Sequence, residues 1–213
     1  MRAIARASDV LGEVAPFLDP HHGVTRMVNN QRWDSNRRQN VAHVDRRVHA
    51  FQRHGGASYD AARTVWNGRI DRRPALIARC AGAADVIAAV NFARTNELLV
   101  AICGGGHSPP GHAVCDDGLM IDLSRMKSIR VDPLAQTALA EPGVLWGEFD
   151  RETQAFGLAT TGGVVSTIGV AGLTLGGGVG WLNGKYGLAC DNLISVDVVT
   201  AAGELLRASA TEN

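Results

Sequence analysis

Apolar and polar positions follow two regimes along this chain. Up to residue 54 they keep no period, because His21-His22, Asn29-Asn30-Gln31-Arg32 and Arg37-Arg38-Gln39-Asn40 interrupt every apolar run. Residues 8–15 offer at most a short amphipathic helix, with Ser8 as cap and Pro16 as stop. From Gly55 onward the pattern is that of a packed domain. The spacing predicts a short helix over 59–66 and a strand over 75–79. A helix over 84–96 follows, with Val86, Ile87, Val90 and Ala93 on one face, then a buried strand over 98–102. These form a β-α-β unit. Alternating segments at 118–123, 128–131 and 137–141 come next, then a helix near 145–156. Strands at 195–200 and 204–208 are joined like a hairpin through Ala201-Ala202-Gly203. Strands and helices mix without a repeated βα winding, so the expected fold class is α+β.

Composition narrows the function classes. Lys and Arg together number 21, as do Asp and Glu, so the formal net charge is zero. That balance gives no general attraction to nucleic acid or to an anionic membrane, and neither is expected as a partner. No apolar run reaches the length of a membrane span, and no basic segment leads into an apolar leader. Cys80, Cys103, Cys115 and Cys190 lack paired spacing, which fits a reducing compartment, so the expected location is cytoplasmic. Residues 1–54 carry nine arginines, five of the seven histidines and no lysine. They read as a disordered extension, as a basic arm for an anionic partner, or as residues foreign to the natural reading frame.

Candidate chemistry concentrates where strand 98–102 ends, in Cys103-Gly104-Gly105-Gly106-His107-Ser108. Three glycines let backbone approach a ligand closely, and successive N–H groups there can form a concave nest for phosphate oxygens. Ligands of open α/β sheets sit at this carboxyl edge. A second glycine-rich segment runs from Gly162 to Gly180, with Thr167, Leu173, Thr174 and Leu175 interspersed. It is no Walker A loop, since Gly184-Lys185 lacks the glycine and hydroxyl residues that motif needs at Val179 and Tyr186. No intact G-x-G-x-x-G follows the first or last strand. Cys103, His107, His112 and Cys115 together offer soft ligands, but their spacing matches no zinc pattern, so no metal is expected. Asp191-Asn192 reads as a turn or cap.

Pro74, Asp85, Val86, Val90 and Val100, ending in Gly104-Gly105-Gly106-His107, resemble the signature of FAD-linked oxidoreductases of the p-cresol methylhydroxylase/vanillyl-alcohol oxidase superfamily. Further runs are similar to its berberine-bridge/6-hydroxynicotine-oxidase-like branch. They are Tyr59-Asp60, Arg63-Thr64-Val65-Trp66-Asn67, Gly118–Ser124, Gly162-Gly163, Gly169–Gly180 and 185–193. The resemblance covers about residues 57–213. It implies a PCMH-type FAD-binding domain of two α+β subdomains, about 55–115 and 116–213, truncated at the C-terminus. It implies FAD as cofactor, linked covalently and singly through His107. The position matched to a second, cysteine attachment in some relatives is Val165, which has no nucleophile. The cradle it implies comprises Cys103, Gly104, Gly105, Gly106, Ser108, Gly163, Thr167, Gly169, Gly172, Thr174, Gly177 and Gly180.

A complete relative takes a hydride from a small-molecule substrate at flavin N5 and passes electrons to oxygen or another acceptor. The family's substrate-side base lies beyond residue 213, so no catalytic acid or base is assigned. This chain alone is expected to be inactive and poorly soluble or oligomeric. Relatives usually carry arginine where Cys103 stands, and a thiol cannot fork onto phosphate as guanidinium does. The alternative is a non-catalytic remnant that keeps the flavin-domain fold as an interaction or nucleotide-binding module.

Overall fold

The computed structural model describes residues 51–53, 56 and 58–213. Of the sequence expectations, the helix at 8–15 and nearly all of the basic extension lie outside these residues. The first sheet runs in the order β1-β2-β4-β3. Its strands are β1 (Phe51–Arg53), β2 (Leu76–Arg79), β3 (Val100–Cys103) and β4 (Leu119–Asp122). β4 lies parallel to both β2 and β3, with Ala78 opposite Ile121 on one side and Ile102 opposite Ile121 on the other. Having partners on both sides, it is buried throughout and apolar but for Asp122, as a central parallel strand should be.

Two expectations change here. β1 pairs antiparallel with β2 through Phe51–Ala78 and Arg53–Leu76, so the stretch assigned to a coreless extension contributes an edge strand. β4 lies past the subdomain boundary expected near 115, yet its ladder places it at the centre of the first sheet. The cluster around that sheet continues to Leu123 and Met126, so the change in packing comes after Met126.

Helix α1 (Tyr59–Arg63) anchors through Tyr59, whose hydroxyl donates to the Pro74 carbonyl at 2.6 Å. Helix α2 (Ala83–Thr95) covers the sheet's other face. Its buried positions are Asp85, Ala89 and Ala93, one turn apart, flanked by half-buried Val86 and Val90. Small residues let the helix sit close, and the buried Asp85 carboxylate accepts the Ala81 N–H at 2.8 Å. Ile87, expected on that face, does not join the cluster.

A hairpin, β5 (Ile129–Asp132) and β6 (Thr137–Ala140), precedes helix α3 (Trp146–Gln154). Val144, Trp146, Phe149 and Ala189 form a separate small core, with Ile129, Ala140, Ile168, Val170 and Leu173 against it. Two short helices absent from the sequence expectation follow, α4 (Val170–Leu175) inside the second glycine-rich segment and α5 (Asn183–Tyr186) just after it. A final hairpin, β7 (Ser195–Val199) and β8 (Leu205–Ser209), has the expected turn. It is tied back to α2 by Arg94, which donates to the Ala202 carbonyl at 2.7 Å. No described helix is long and apolar enough to cross a membrane.

Candidate functional site

At the carboxyl end of β3 the chain enters the glycine loop, and this end of the sheet carries the site. Gly106 takes φ +70°, a conformation suited to glycine, and its carbonyl accepts the Trp66 N–H at 3.1 Å. That bond brings the segment after α1 alongside the loop. His107 then stacks on Trp66, with ring centroids 5.1 Å apart and 21° between planes.

The second glycine segment reaches the same place by backbone pairing. Residues 166–170 run antiparallel to 144–147: Trp146 N–H donates to Ile168, Gly147 to Ser166 and Val170 to Val144, each at 2.9 Å. Gly169 and Gly105 are thereby pressed backbone to backbone. A Cβ on Gly105 would lie 2.3 Å from the Gly169 nitrogen, and one on Gly169 would lie 2.6 Å from the Gly105 nitrogen. Real side chains never come so close, so this crossing admits glycine alone. It places Thr167 Oγ1 at 3.0 Å from His107 Nε2.

Between these pieces lies a cavity of about 460 Å³, lined by Gly104, Gly105, His107 and Thr167. Three further segments complete it: Thr64, Val65 and Trp66; Ser124 and Lys127; and Gly143 with Leu145. These segments, which come together only in the folded chain, were not expected as site residues. The size is that of a small-molecule pocket. Burial lowers the His107 pKa below the ordinary imidazole value, so the ring is neutral at pH 7. The neutral ring has one N–H and one lone pair; either Nε2–H donates to Thr167 Oγ1, leaving the lone pair on Nδ1, or the Thr167 hydroxyl donates to Nε2.

Lys127 Nζ donates to both Glu148 oxygens, at 2.8 and 2.6 Å. Glu148 also accepts the Leu145 N–H at 2.8 Å, closing the first turn of α3. Burial pushes the Glu148 carboxyl up, but Lys127 and the Leu145 N–H outweigh it and hold the pKa below the ordinary value.

The other expected cradle residues stand elsewhere. Cys103 alternates inward on β3 and is 7% exposed, in a cluster with Tyr59, Val65, Ile77 and Met120. Burial pushes its thiol up to about 11, so it is a protonated core residue beneath the loop and does not line the cavity. Ser108 Oγ accepts the His112 N–H at 3.1 Å. Gly163 packs on the Trp146 ring, where a Cβ would meet the indole at 2.9 Å. Gly180 lies against the Gly162 carbonyl, with 1.9 Å left for a Cβ. Thr174 is buried in α4, Gly172 faces open space, and Gly177 turns with φ +102°. Of the four soft ligands, Cys103 is in the core, and His107 is held by Trp66 and Thr167. Among the described residues no cluster of three or more His, Cys, Asp or Glu gathers as a metal site.

A family model described as FAD binding domain matches residues 74–209. The chain belongs to this family. The flavin domain is 42% identical to (R)-6-hydroxynicotine oxidase of Paenarthrobacter nicotinovorans over 156 residues, covering 73% of this chain and 34% of that protein. The crystal structure of 6-hydroxy-D-nicotine oxidase from Arthrobacter nicotinovorans is similar with a TM-score of 0.75 and 40% identity. That match covers 76% of this chain and 36% of that one. Physcomitrella patens BBE-like 1 is similar at 0.74 with 29% identity, over 77% of this chain and 36% of that one. The expected α+β flavin-binding fold of the berberine-bridge-like branch is therefore the fold observed. The chain spans about a third of the length of the curated relatives it matches.

The cavity fits the cofactor its family binds. Glycine backbone at 104 and 105, the hydroxyls of Thr167 and Ser124 and the Lys127 ammonium suit an anionic group, while Val65, Trp66 and Leu145 suit a flat ring.

Proposed function

We propose that the flavin domain holds FAD in the cavity between the two glycine segments, with the cofactor joined covalently through His107. One observation carries this: among the described residues the one imidazole lining that cavity, His107, is stacked on Trp66 and bonded to Thr167, and burial keeps it neutral. A neutral ring keeps the lone pair that attachment needs, and the two contacts fix its orientation. When bound, the flavin would supply an 8α-methyl carbon that takes the tether once it has given up a proton, and an N5 that accepts hydride from a small organic substrate, with oxygen or another acceptor taking the two electrons that each step leaves on the ring. Gly104 and Gly105 present backbone to the cavity, while the space of their missing side chains is taken by the Pro142 carbonyl and Gly169. Thr167 holds the His107 ring in place through Nε2. Trp66 covers the ring's face and limits water around it. Val165 is exposed and lacks a nucleophile, so attachment is single. This span supplies the cofactor wall of an oxidoreductase; no acid or base for the substrate is assigned to it.

The test is acid precipitation of protein expressed with flavin. The wild-type pellet stays yellow, whereas His107→Ala releases all its flavin to the supernatant. Colour washing out of the wild-type pellet overturns the tether and leaves the fold assignment standing.

A further inference from the structure

Among the described residues lining the cavity, Lys127 is the one permanent charge. Three arginines on neighbouring segments are committed elsewhere, and exposed Arg125, between Ser124 and Lys127, does not line the cavity. Arg63 pairs with Asp60 and Asp71, Arg72 donates to the Gly111 and Val114 carbonyls, and Arg79 pairs with buried Asp122. Cys103 directs a thiol into the core and brings no charge to the loop. Among the described residues lining the cavity, a diphosphate would then meet a cation only at Lys127.

The ammonium is held for this. Glu148 is fixed by the Leu145 N–H, and it in turn pins Lys127 at the edge of the cavity that Leu145 also lines. An ammonium has three N–H donors, of which this carboxylate takes at most two, so donor capacity remains for a phosphate oxygen. The negative charge of Glu148 opposes an incoming anion, but it stands at the N-terminus of nine-residue α3, whose dipole offsets part of it. With side-chain exposures of 37% and 45%, the pair is half-open to solvent, and such pairs rearrange at small cost.

We infer that Lys127 is the counter-charge for the diphosphate of the bound dinucleotide, supplying from the loop after β4 the cation that position 103 lacks. This rests on the flavin-site reading above. The test uses the full chain, produced without riboflavin so that no flavin becomes attached, and two probes. ADP carries the diphosphate without the flavin ring; riboflavin carries the ring without the diphosphate. Lys127→Gln is expected to weaken ADP about tenfold and to leave riboflavin within twofold, and Lys127→Arg restores most of the ADP affinity. The salt dependence of ADP binding becomes shallower in Lys127→Gln, because one charge no longer takes part. Equal ADP affinity in Lys127→Gln and wild type overturns this inference alone, as does wild type that binds riboflavin but not ADP. Parallel loss of both probes in Lys127→Gln also overturns it, marking Lys127 as packing. Wild type that binds neither probe overturns the flavin-site reading and this inference together.

Discussion

The two glycine-rich segments look alike in composition and act differently in the fold. The loop at 104–107 lends two glycines and its histidine to the cavity wall. The segment at 162–180 contributes only Thr167 to that wall, although it holds many more glycines. Glycines of both segments also pack chain against chain: Gly104 on the Pro142 carbonyl, Gly105 and Gly169 on each other, Gly162 and Gly163 on the Trp146 ring, Gly180 on the Gly162 carbonyl. A glycine cluster therefore signals close approach without saying whether the approaching group is a ligand or the protein itself. The distinction appears only when the neighbours of each missing Cβ are known.

The largest expected effect on stability tests that distinction. Gly180→Ala puts a methyl group 1.9 Å from the Gly162 carbonyl, and backbone on both sides must move. We expect a loss of roughly 3 kcal/mol or more, at the upper end of overpacking costs. Gly172→Ala in α4 meets nothing within 4 Å and should instead stabilise by roughly 0.5–1 kcal/mol, because alanine forms helix better. Urea unfolding of the flavin-free chain reads both. If the two variants lose stability equally, the packing role of the second segment is wrong. If Gly172→Ala gains stability yet weakens flavin binding, that glycine returns to the cradle on the cofactor's side.

A smaller effect is expected at Cys103, where the structure reverses the expectation drawn from relatives. Arginine there was expected to fork onto phosphate and raise flavin occupancy. The side chain at 103 turns inward among Val65, Ile77 and Met120, and the nearby Asp122 already pairs with Arg79. Cys103→Arg should lower stability by about 2–3 kcal/mol, through a buried charge short of a partner, without raising occupancy. The bound flavin per chain and the urea midpoint together decide it. Higher occupancy at unchanged stability would restore the guanidinium reading and weaken the case for Lys127.

Much of the fold was legible because its elements announce themselves locally. β2, β3 and β4 are apolar runs ended by turns, and the final hairpin turns at Gly203, whose φ is +81°. β1 was not legible: a three-residue edge strand among polar residues gains its order from β2 and has little pattern of its own. α4 and α5 were missed because glycine lowers helix propensity, and α4 is held by packing of Val170 and Leu173 on the Trp146 cluster. On α2 the expected Val86, Val90 and Ala93 do face the core, whereas Ile87 does not and Ala89, too small to stand out in an apolar count, does. His107, Gly104, Gly105 and Thr167 were legible from the motif. Trp66, Ser124, Lys127 and Leu145 reach the cavity by tertiary contact, and no spacing links them. Trp66 and Ser124 stand in runs that carry the family resemblance, whereas Lys127 and Leu145 do not.

The smallest effect concerns protonation of His107, where the first loop's chemistry separates from the second segment's packing. Burial lowers its pKa in the folded state below the ordinary value of 6.5. Between the two values the unfolded chain binds more protons than the folded one, so stability falls as pH drops through that window. The contribution is fully present above pH 6.5 and is gone once the pH lies below the folded pKa. Wild type should thus lose stability relative to His107→Asn as the pH falls from 7 to 5, with urea midpoints as the measure. Gly180→Ala, which leaves the imidazole in place, should keep the wild-type pH dependence while starting lower. Attachment of flavin should slow over the same range, since a protonated ring has no lone pair to offer. Parallel pH profiles for wild type and His107→Asn would mean the imidazole is as well solvated folded as unfolded, and the neutral nucleophile would lose its physical basis.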